Sequence, residues 1–328
     1  MNRILIIQGQ GHVNLGLGDT VQLLQSYFNV SNHHKCSIDI LTDQKFKAFY
    51  EQFDWINNII CLDKSIKLNT LFDMIRLKKY FSHKEYDFIY DIPGHFTYKP
   101  LYQLKHMILK HYSFRKKKYI CVLNTLTKKE NKQNRRNFSL ADWNNAVFKK
   151  LGIEITNKSN ELLLDIIDKN FTEHLQLKPY IFIQPFYSGS DSSKTRDWPY
   201  FCELTRKIKE DFPELNIVIA PGEKNIKSTK NLSASIVLDN KKTTSIPQLI
   251  RVIHDASYVI TLDTSTAHIA SNLQKKGKVI CGKHSKTPNE IGIETDHLKA
   301  IYYPENELKE ISSNEIYSII RPEIANLI

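Results

Sequence analysis

Residues 258–270 read Tyr-Val-Ile-Thr-Leu-Asp-Thr-Ser-Thr-Ala-His-Ile-Ala. The first five residues form a short, β-branched apolar run that predicts a buried strand, and a helix is expected over Thr266–Leu273. The polar residues between them stand at the turn from strand to helix. The first N–H groups of such a helix form an anion site that the helix dipole strengthens.

The same succession of strand and helix recurs along the chain. In the first half, strands are predicted at Ile4–Ile7, Ser37–Leu41, Ile59–Leu62, Phe88–Ile92 and Tyr119–Leu123, and helices at Thr20–Phe28, Gln44–Gln52, Asn69–Phe81 and Tyr98–His111. In the second half, strands are predicted at Tyr180–Gln184, Asn216–Ala220, Ser235–Leu238, Tyr258–Leu262 and Lys278–Cys281, and helices at Tyr200–Asp211, Pro247–Ala256, Thr266–Leu273 and Ser312–Ile320. This alternation predicts an α/β protein with parallel sheets covered by helices on both faces.

The length of 328 residues favours two domains. Residues near Asn157–Pro179 mix charged and polar groups without a period, so the expected domains are 1–165 and 166–328. Each is expected to be a Rossmann-like, doubly wound domain, and the last helix can pack back on the first. Two such domains face a central cleft, and ligands bind beyond the carboxyl ends of the strands.

Composition excludes several classes of protein. Hydrophobic residues make up 41% of the chain and charged residues 25%, which is typical of a globular protein and not of a disordered one. No run of about 18 apolar residues occurs, so a transmembrane helix is not expected. The apolar run at the N-terminus is expected to be a strand and not a signal peptide. The net charge of +11 indicates an anionic partner.

The first candidate loop, residues 8–19, is rich in glycine but matches neither a dinucleotide fingerprint nor a P-loop. Asp19 stands where the next helix begins. It is therefore either a first-turn aspartate favoured by the helix dipole or a general base facing the cleft. His12 is a weaker candidate for this base, and its other interpretation is a solvent-facing loop histidine. Gly16 and Gly18 permit close approach of the backbone to a ligand.

The second candidate loop, residues 185–199, holds many hydroxyl groups together with Lys194 and Arg196. Such a loop can bind phosphate through hydroxyls, N–H groups and cations, or it can be a solvated loop. Trp198 is expected to pack at the start of the following helix.

The third candidate loop follows the strand at Tyr258–Leu262. Asp263 either caps the next helix or shapes a binding site, and His268 lies about one turn inside that helix. A lone helical histidine is usually structural. The spacing between Asp263 and His268 offers no third ligand, so no metal site is predicted.

These three loops, in this order, resemble the heptosyltransferase family of bacterial lipopolysaccharide synthesis, glycosyltransferase family nine, which has the GT-B architecture. The resemblance is carried by Gly18-Asp19, by Arg196-Asp197-Trp198-Pro199 and by the segment 263–270. The chain departs from the family pattern at Ser265, where the family has glycine, and at Cys281, where it has an aromatic residue.

The resemblance implies transfer of a sugar from a nucleotide-activated donor, typically ADP-heptose, onto a lipopolysaccharide-core or other saccharide acceptor. It implies that no cofactor or metal is needed and that Asp19 deprotonates the acceptor hydroxyl. The donor and its diphosphate are assigned to Lys194, Arg196, Asp263, Thr264, Ser265, Thr266 and His268.

Two basic segments, residues 115–118 and 128–136, lie in the first half. They are either solvated faces or contacts with an anionic glycolipid acceptor and the inner-membrane surface, which predicts a cytoplasmic protein bound peripherally there. No nucleic-acid-binding motif is visible, so nucleic acid is not an expected partner. Two alternatives stay open. One is a nucleotide-sugar enzyme of another type, such as an epimerase, and the other is a basic binding protein without catalysis.

Overall fold

The computed structural model describes residues 2–8, 16–61, 86–92, 118–121, 139–169, 171, 179–186, 197–221, 229–238 and 245–327. The chain divides into two compact units, Met1–Lys158 and Ser159–Ile328. The predicted helices Asn69–Phe81 and Tyr98–His111 lie outside the described residues. Within those residues, every helix is too short or too polar to cross a bilayer.

The first unit is built on a parallel sheet whose described strands follow the order β3-β2-β1-β4-β5. In chain order its elements are β1 (Ile4–Gln8), α1 (Leu17–His34), β2 (Ile38–Thr42), a 3₁₀ turn (Gln44–Phe46), α2 (Lys47–Tyr50), β3 (Ile56–Cys61), β4 (Phe88–Ile92), β5 (Lys118–Cys121) and α3 (Leu140–Lys150). The strand order reverses between β1 and β4. The loop after β1 therefore starts at the position where ligands bind in doubly wound sheets.

Polar side chains on α1 hold the last residues of the first unit. The hydroxyl of Thr156 donates to Asn29 Oδ1 at 2.8 Å, and the backbone N–H of Lys158 donates to Gln25 Oε1. Gln25 Nε2 also donates to Asn29 Oδ1 at 3.0 Å. Gln25 and Asn29 are both buried, so these bonds satisfy side-chain oxygens that would be costly to leave unpaired.

The second unit repeats the plan with a parallel sheet of described strand order β11-β10-β9-β6-β7-β8. Its elements are α4 (Ser159–Asp165), β6 (Tyr180–Gln184), α5 (Phe201–Asp211), β7 (Asn216–Ile219), β8 (Ile236–Val237), α6 (Ile246–Asp255), β9 (Tyr258–Leu262), α7 (Ser265–Asn272), β10 (Gly277–Cys281), α8 (Pro288–Ile291), β11 (Leu298–Tyr302), a 3₁₀ turn (Leu308–Glu310) and α9 (Ser313–Ala325). The strand order reverses between β6 and β9. The helix α4 belongs to this unit, whereas the expected first domain extends to residue 165.

One face of the second sheet carries a continuous apolar core. Ile181 and Ile183 of β6 and Ile260 of β9 lie in it, together with the buried faces of α5 and α9. Because side chains alternate along a strand, Gln184 and Thr261 face the opposite side of the sheet. That side is covered by α6, where the carbonyl of Val252 accepts a hydrogen bond from Tyr180.

The last helix, α9, lies in the core of the second unit. Ile316, Ile320 and Ile324 are fully buried against this core. The helix continues through Pro322 to Ala325, beyond its predicted end at Ile320. Burial of Ile316, Ile320 and Ile324 together offsets the cost of about 3 kcal/mol of a proline inside the helix.

Trp198 is structural, as its position before α5 predicts. The indole is 2% exposed, its Nε1 donates to the carbonyl of Ile311 at 2.8 Å, and its ring meets that of Phe201 edge-on. Replacement of Trp198 by phenylalanine removes the donor and leaves a cavity, so the free energy of unfolding is expected to fall by about 2–3 kcal/mol. Urea denaturation measures this change. An unchanged unfolding midpoint, or a specific loss of ligand binding in the folded variant, would contradict the structural role.

Candidate active site

The strand β9 leads directly into α7 at the carboxyl edge of the second sheet. Thr264 is the N-cap residue, with extended backbone angles (φ −138°, ψ 177°), and Ser265 is the first helical residue. Asp263 precedes the cap and is half-buried, as are Thr264 and Ser265. The structure thus brings Asp263, Thr264 and Ser265 together at the point where the strand order reverses.

The first turn of α7 is not capped by its N-cap side chain. Thr264 makes no capping hydrogen bond, and its hydroxyl instead lies 3.1 Å from the hydroxyl of Thr261 in β9. The first N–H groups of a helix have no intrahelical acceptor. An anion placed before α7 would therefore find N–H donors and the positive end of the helix dipole.

The remaining predicted residues of this segment are buried inside α7. Thr266 is 2% exposed and His268, the fourth helical residue, is 8% exposed. His268 lies beside Ala267 in the sequence, and Ala267 and Ala270 are fully buried. His268 is thus about one turn inside the helix, as predicted, with little of its ring reachable from solvent.

Position 265, where this chain has serine and the family has glycine, does not require the positive φ that favours glycine. Ser265 begins α7, and the non-glycine residues with positive φ in the described part of the chain are Lys35 and Gln274. The turn from β9 into α7 is therefore compatible with a side chain at this position.

Gln184 is a polar residue at this edge that the sequence analysis did not select. It ends β6 and is paired in register with Thr261 of β9, so both side chains lie on the same face of the sheet. Its Oε1 atom is buried and has no hydrogen-bond partner in the described structure. The available signal was a polar residue that closes an apolar strand, a pattern that Gln8 repeats in β1.

In the first unit, Asp19 is the third residue of α1. Its Oδ2 atom accepts a hydrogen bond from the N–H of Gly16, the N-cap residue, at 2.9 Å. The carboxylate is half-buried, while Gly16 is exposed and Gly18 is buried. Asp19 therefore occupies the first turn, where one of its oxygens serves the helix N-terminus.

Two tyrosines close to this turn are unsuited to act as bases. Burial raises the pKa of both Tyr27 and Tyr50 well above the ordinary value, and the nearby Asp19 carboxylate raises that of Tyr27 further. Both phenols stay protonated near neutral pH.

Three predicted site residues, His12, Lys194 and Arg196, lie outside the described residues. So does most of the two basic segments, of which Lys118 alone falls in a described strand, β5. In the part of the chain that the structure describes, no three His, Cys, Asp or Glu side chains are grouped as metal ligands.

The fold is that of solved heptosyltransferases. A glycosyltransferase family 9 protein from Veillonella parvula matches with a TM-score of 0.68 at 14% identity, covering 99% of this chain and 98% of that one. E. coli heptosyltransferase WaaC with ADP-2-deoxy-2-fluoro heptose matches with a TM-score of 0.65 at 14% identity, and the match covers 98% of this chain and 99% of that one. E. coli ADP-heptose lps heptosyltransferase II matches with a TM-score of 0.65 at 13% identity, and the match covers 99% of each chain. No curated protein sequence matches significantly.

The family model for glycosyltransferase family 9 (heptosyltransferase) matches residues 74–316. This range contains the turn from β9 into α7 but not Asp19. Since the match spans well over half of the chain and the fold agrees, an unrelated binding protein without catalysis is no longer an alternative. The chain belongs to glycosyltransferase family 9, the heptosyltransferase family, and is a glycosyltransferase.

Proposed function

We propose that this glycosyltransferase moves a heptose-like sugar from an ADP-linked donor to a saccharide of the lipopolysaccharide core, without a metal or other cofactor. The observation that carries the proposal is the first turn of α7 at the carboxyl edge of the second sheet, where the N-cap side chain of Thr264 makes no capping bond. Two similar structures support the donor: E. coli WaaC with ADP-2-deoxy-2-fluoro heptose, and the E. coli ADP-heptose lps heptosyltransferase II.

The donor diphosphate is placed before α7. The N–H groups of Ser265 and Thr266 donate to its oxygens, and the helix dipole favours the negative charge. Because the hydroxyl of Thr264 bonds with that of Thr261, it does not compete for these N–H groups. Lys194 and Arg196, in the loop after β6, supply positive charge to the leaving diphosphate.

Three further residues complete the donor site. Gln184 offers a buried oxygen that can accept a hydrogen bond from the donor. Asp263 and His268 shape the site from the two ends of the first turn of α7.

Asp19 is assigned the role of general base. Its Oδ2 atom is held by the N–H of Gly16, which leaves Oδ1 to accept a proton. The acceptor O–H bond breaks and its proton passes to the Asp19 carboxylate. The acceptor oxygen forms a bond to the anomeric carbon as the bond from that carbon to the diphosphate oxygen breaks, and ADP leaves.

The acceptor is an anionic saccharide or glycolipid, bound by the first unit with Gly16, Gly18 and His12 near the acceptor hydroxyl. The net charge of +11 and the basic segments 115–118 and 128–136 support this assignment. The same charges favour peripheral binding to the cytoplasmic face of the inner membrane.

A thermal-shift screen with ADP-, UDP- and GDP-linked sugars tests the donor. An ADP-linked heptose at about 100 times its Kd is expected to raise Tm by about 4 °C. With a lipopolysaccharide-core saccharide present, release of ADP should accompany a new glycosidic bond, and EDTA should leave the rate unchanged. A shift with UDP-sugars only, or an isomerised sugar without a new bond, would point to the epimerase alternative instead.

Replacement of Ser265 by proline tests the placement of the diphosphate. Proline is tolerated as the first helical residue, and the extended Thr264 accommodates it, so the helix persists while the N–H and the hydroxyl of Ser265 are lost. Loss of a bond to a charged phosphate should raise the donor Kd about tenfold or more. Ser313→Pro, the same change at the start of α9, should leave donor binding intact. Equal donor affinity in both variants would contradict this placement.

A further inference from the structure

A buried amide at the end of β1 joins four elements of the first unit. Gln8 is 5% exposed, and its Nε2 donates to the hydroxyl of Thr20 in α1 at 3.1 Å. Its Oε1 accepts from the hydroxyl of Thr42 at 2.7 Å and from that of Tyr50 at 2.8 Å. The end of β1 is thereby tied to α1, β2 and α2.

The hydroxyl of Thr20 links Gln8 to the first turn of α1. It is fully buried and donates to the carbonyl of Gly16 at 3.0 Å while it accepts from Gln8. The N–H of Gly16 in turn donates to Asp19 Oδ2 at 2.9 Å. Hydrogen bonds on both sides of the Gly16 backbone therefore link Gln8 to the carboxylate of Asp19.

Support of the fold alone does not require this arrangement. Apolar residues of similar shape would fill these buried positions without the cost of burying polar groups, and replacing both partners of such a bond is often nearly neutral. A satisfied polar network instead fixes orientation, because its bonds are directional. Thr20 follows Asp19 directly, so a rotation of α1 about its axis moves both.

We propose that Gln8 and Thr20 are positioning residues for Asp19, holding the first turn of α1 at the rotation that points the carboxylate toward the acceptor hydroxyl. This rests on the proposed function of Asp19 as the base. Displacement of a reacting group by about 1 Å can lower the rate about 100-fold, so loss of the anchor affects turnover more than donor binding.

Two threonine-to-valine substitutions provide a matched test. Thr20→Val breaks the connection between Gln8 and α1, whereas Thr42→Val breaks the bond that joins the same amide to β2. Thr20→Val is expected to lower kcat about 10- to 100-fold with an unchanged donor KM. Thr42→Val should stay within about threefold of the wild type, and Thr20→Ser, which keeps the hydroxyl, should restore most of the activity.

A double-mutant cycle shows whether Thr20 acts through Asp19. When Asp19 is already asparagine, Thr20→Val should cause little further loss of the residual rate, because the two changes remove one function. Equal losses of kcat in Thr20→Val and Thr42→Val, or a full additional loss in the double variant, would mean a merely structural role and overturn the inference.

The failure of this inference can be told from failure of the proposed function. Full activity of Asp19→Asn would overturn the assignment of the base, and with it the positioning role. An inactive Asp19→Asn together with a fully active Thr20→Val would leave the base in place and overturn the positioning role alone. ADP-heptose and a lipopolysaccharide-core saccharide serve as substrates in every arm.

Discussion

Replacement of Asp19 by asparagine is expected to lower the rate of sugar transfer by about 10²- to 10⁴-fold, the usual contribution of a general base. Asparagine has the same shape and keeps an oxygen that accepts the N–H of Gly16, so the start of α1 should persist. It cannot take the acceptor proton near neutral pH. Release of ADP measures the effect, and the thermal shift caused by the donor should match the wild type.

Asp142→Asn is the matched control for this experiment. Asp142 is also the third residue of its helix, α3, and its Oδ2 accepts a hydrogen bond from the hydroxyl of the N-cap residue Ser139 at 2.6 Å. The control removes the same charge from an equivalent helix position and should leave the rate near that of the wild type. A similar loss in both variants would show that helix capping, and not base catalysis, explains the effect.

Replacement of Gly277 by alanine is expected to lower the free energy of unfolding by at least about 3 kcal/mol, because the added methyl group overpacks the site. Gly277 begins β10 and is paired in register with Val259 of β9. A Cβ atom at Gly277 would lie 2.1 Å from the carbonyl oxygen of Val259. Both strands are central to the second sheet, so neither can move without disturbing its neighbours. Urea denaturation followed by circular dichroism measures the loss.

Gly152→Ala separates this steric effect from the general cost of replacing glycine. Gly152 has φ of +78°, and no atom lies within 4 Å of a Cβ placed there. Its replacement should cost only the backbone strain, about 1–2 kcal/mol. If Gly277→Ala were no more destabilising than Gly152→Ala, the close approach of β10 to β9 would be contradicted.

The strands were predictable because burial on both faces leaves a direct mark on sequence. The runs at Phe88–Ile92, Tyr180–Gln184 and Tyr258–Leu262 have the same bounds in the structure as in the prediction. Elements whose stability depends on packing against distant parts of the chain were harder to predict from the sequence. The strand β11 carries the exposed Lys299 and breaks the apolar pattern, and α9 passes Pro322 because Ile324 is buried by the sheet.

The helix α3 is a different kind of miss, since its signal was present. Ser139 caps it, and Leu140, Trp143 and Val147 recur at helical spacing and are buried. No element is predicted for this segment, which follows a strongly basic stretch with no such pattern.

The candidate site divides in the same way. The positions of Asp19 and of Asp263–Thr266 relative to their helices follow from local sequence alone, since a polar turn after an apolar strand predicts a helix start. The bonds of Gln8 to Thr42 and Tyr50 join residues far apart in the chain and depend on the order of the strands. Thr264 makes no capping hydrogen bond because its hydroxyl bonds with that of Thr261, and this pairing could be seen only in the structure.

The attachment of Thr156 and Lys158 to α1 determines where the chain can be divided. A first half that stopped at Lys150, the end of α3, would lose the hydrogen bonds that Thr156 and Lys158 make with the buried Asn29 and Gln25. Ending it after Lys158 keeps those bonds. If the two halves are produced separately, for example to label each with isotopes before they are combined, the chain should therefore be divided between Lys158 and Ser159.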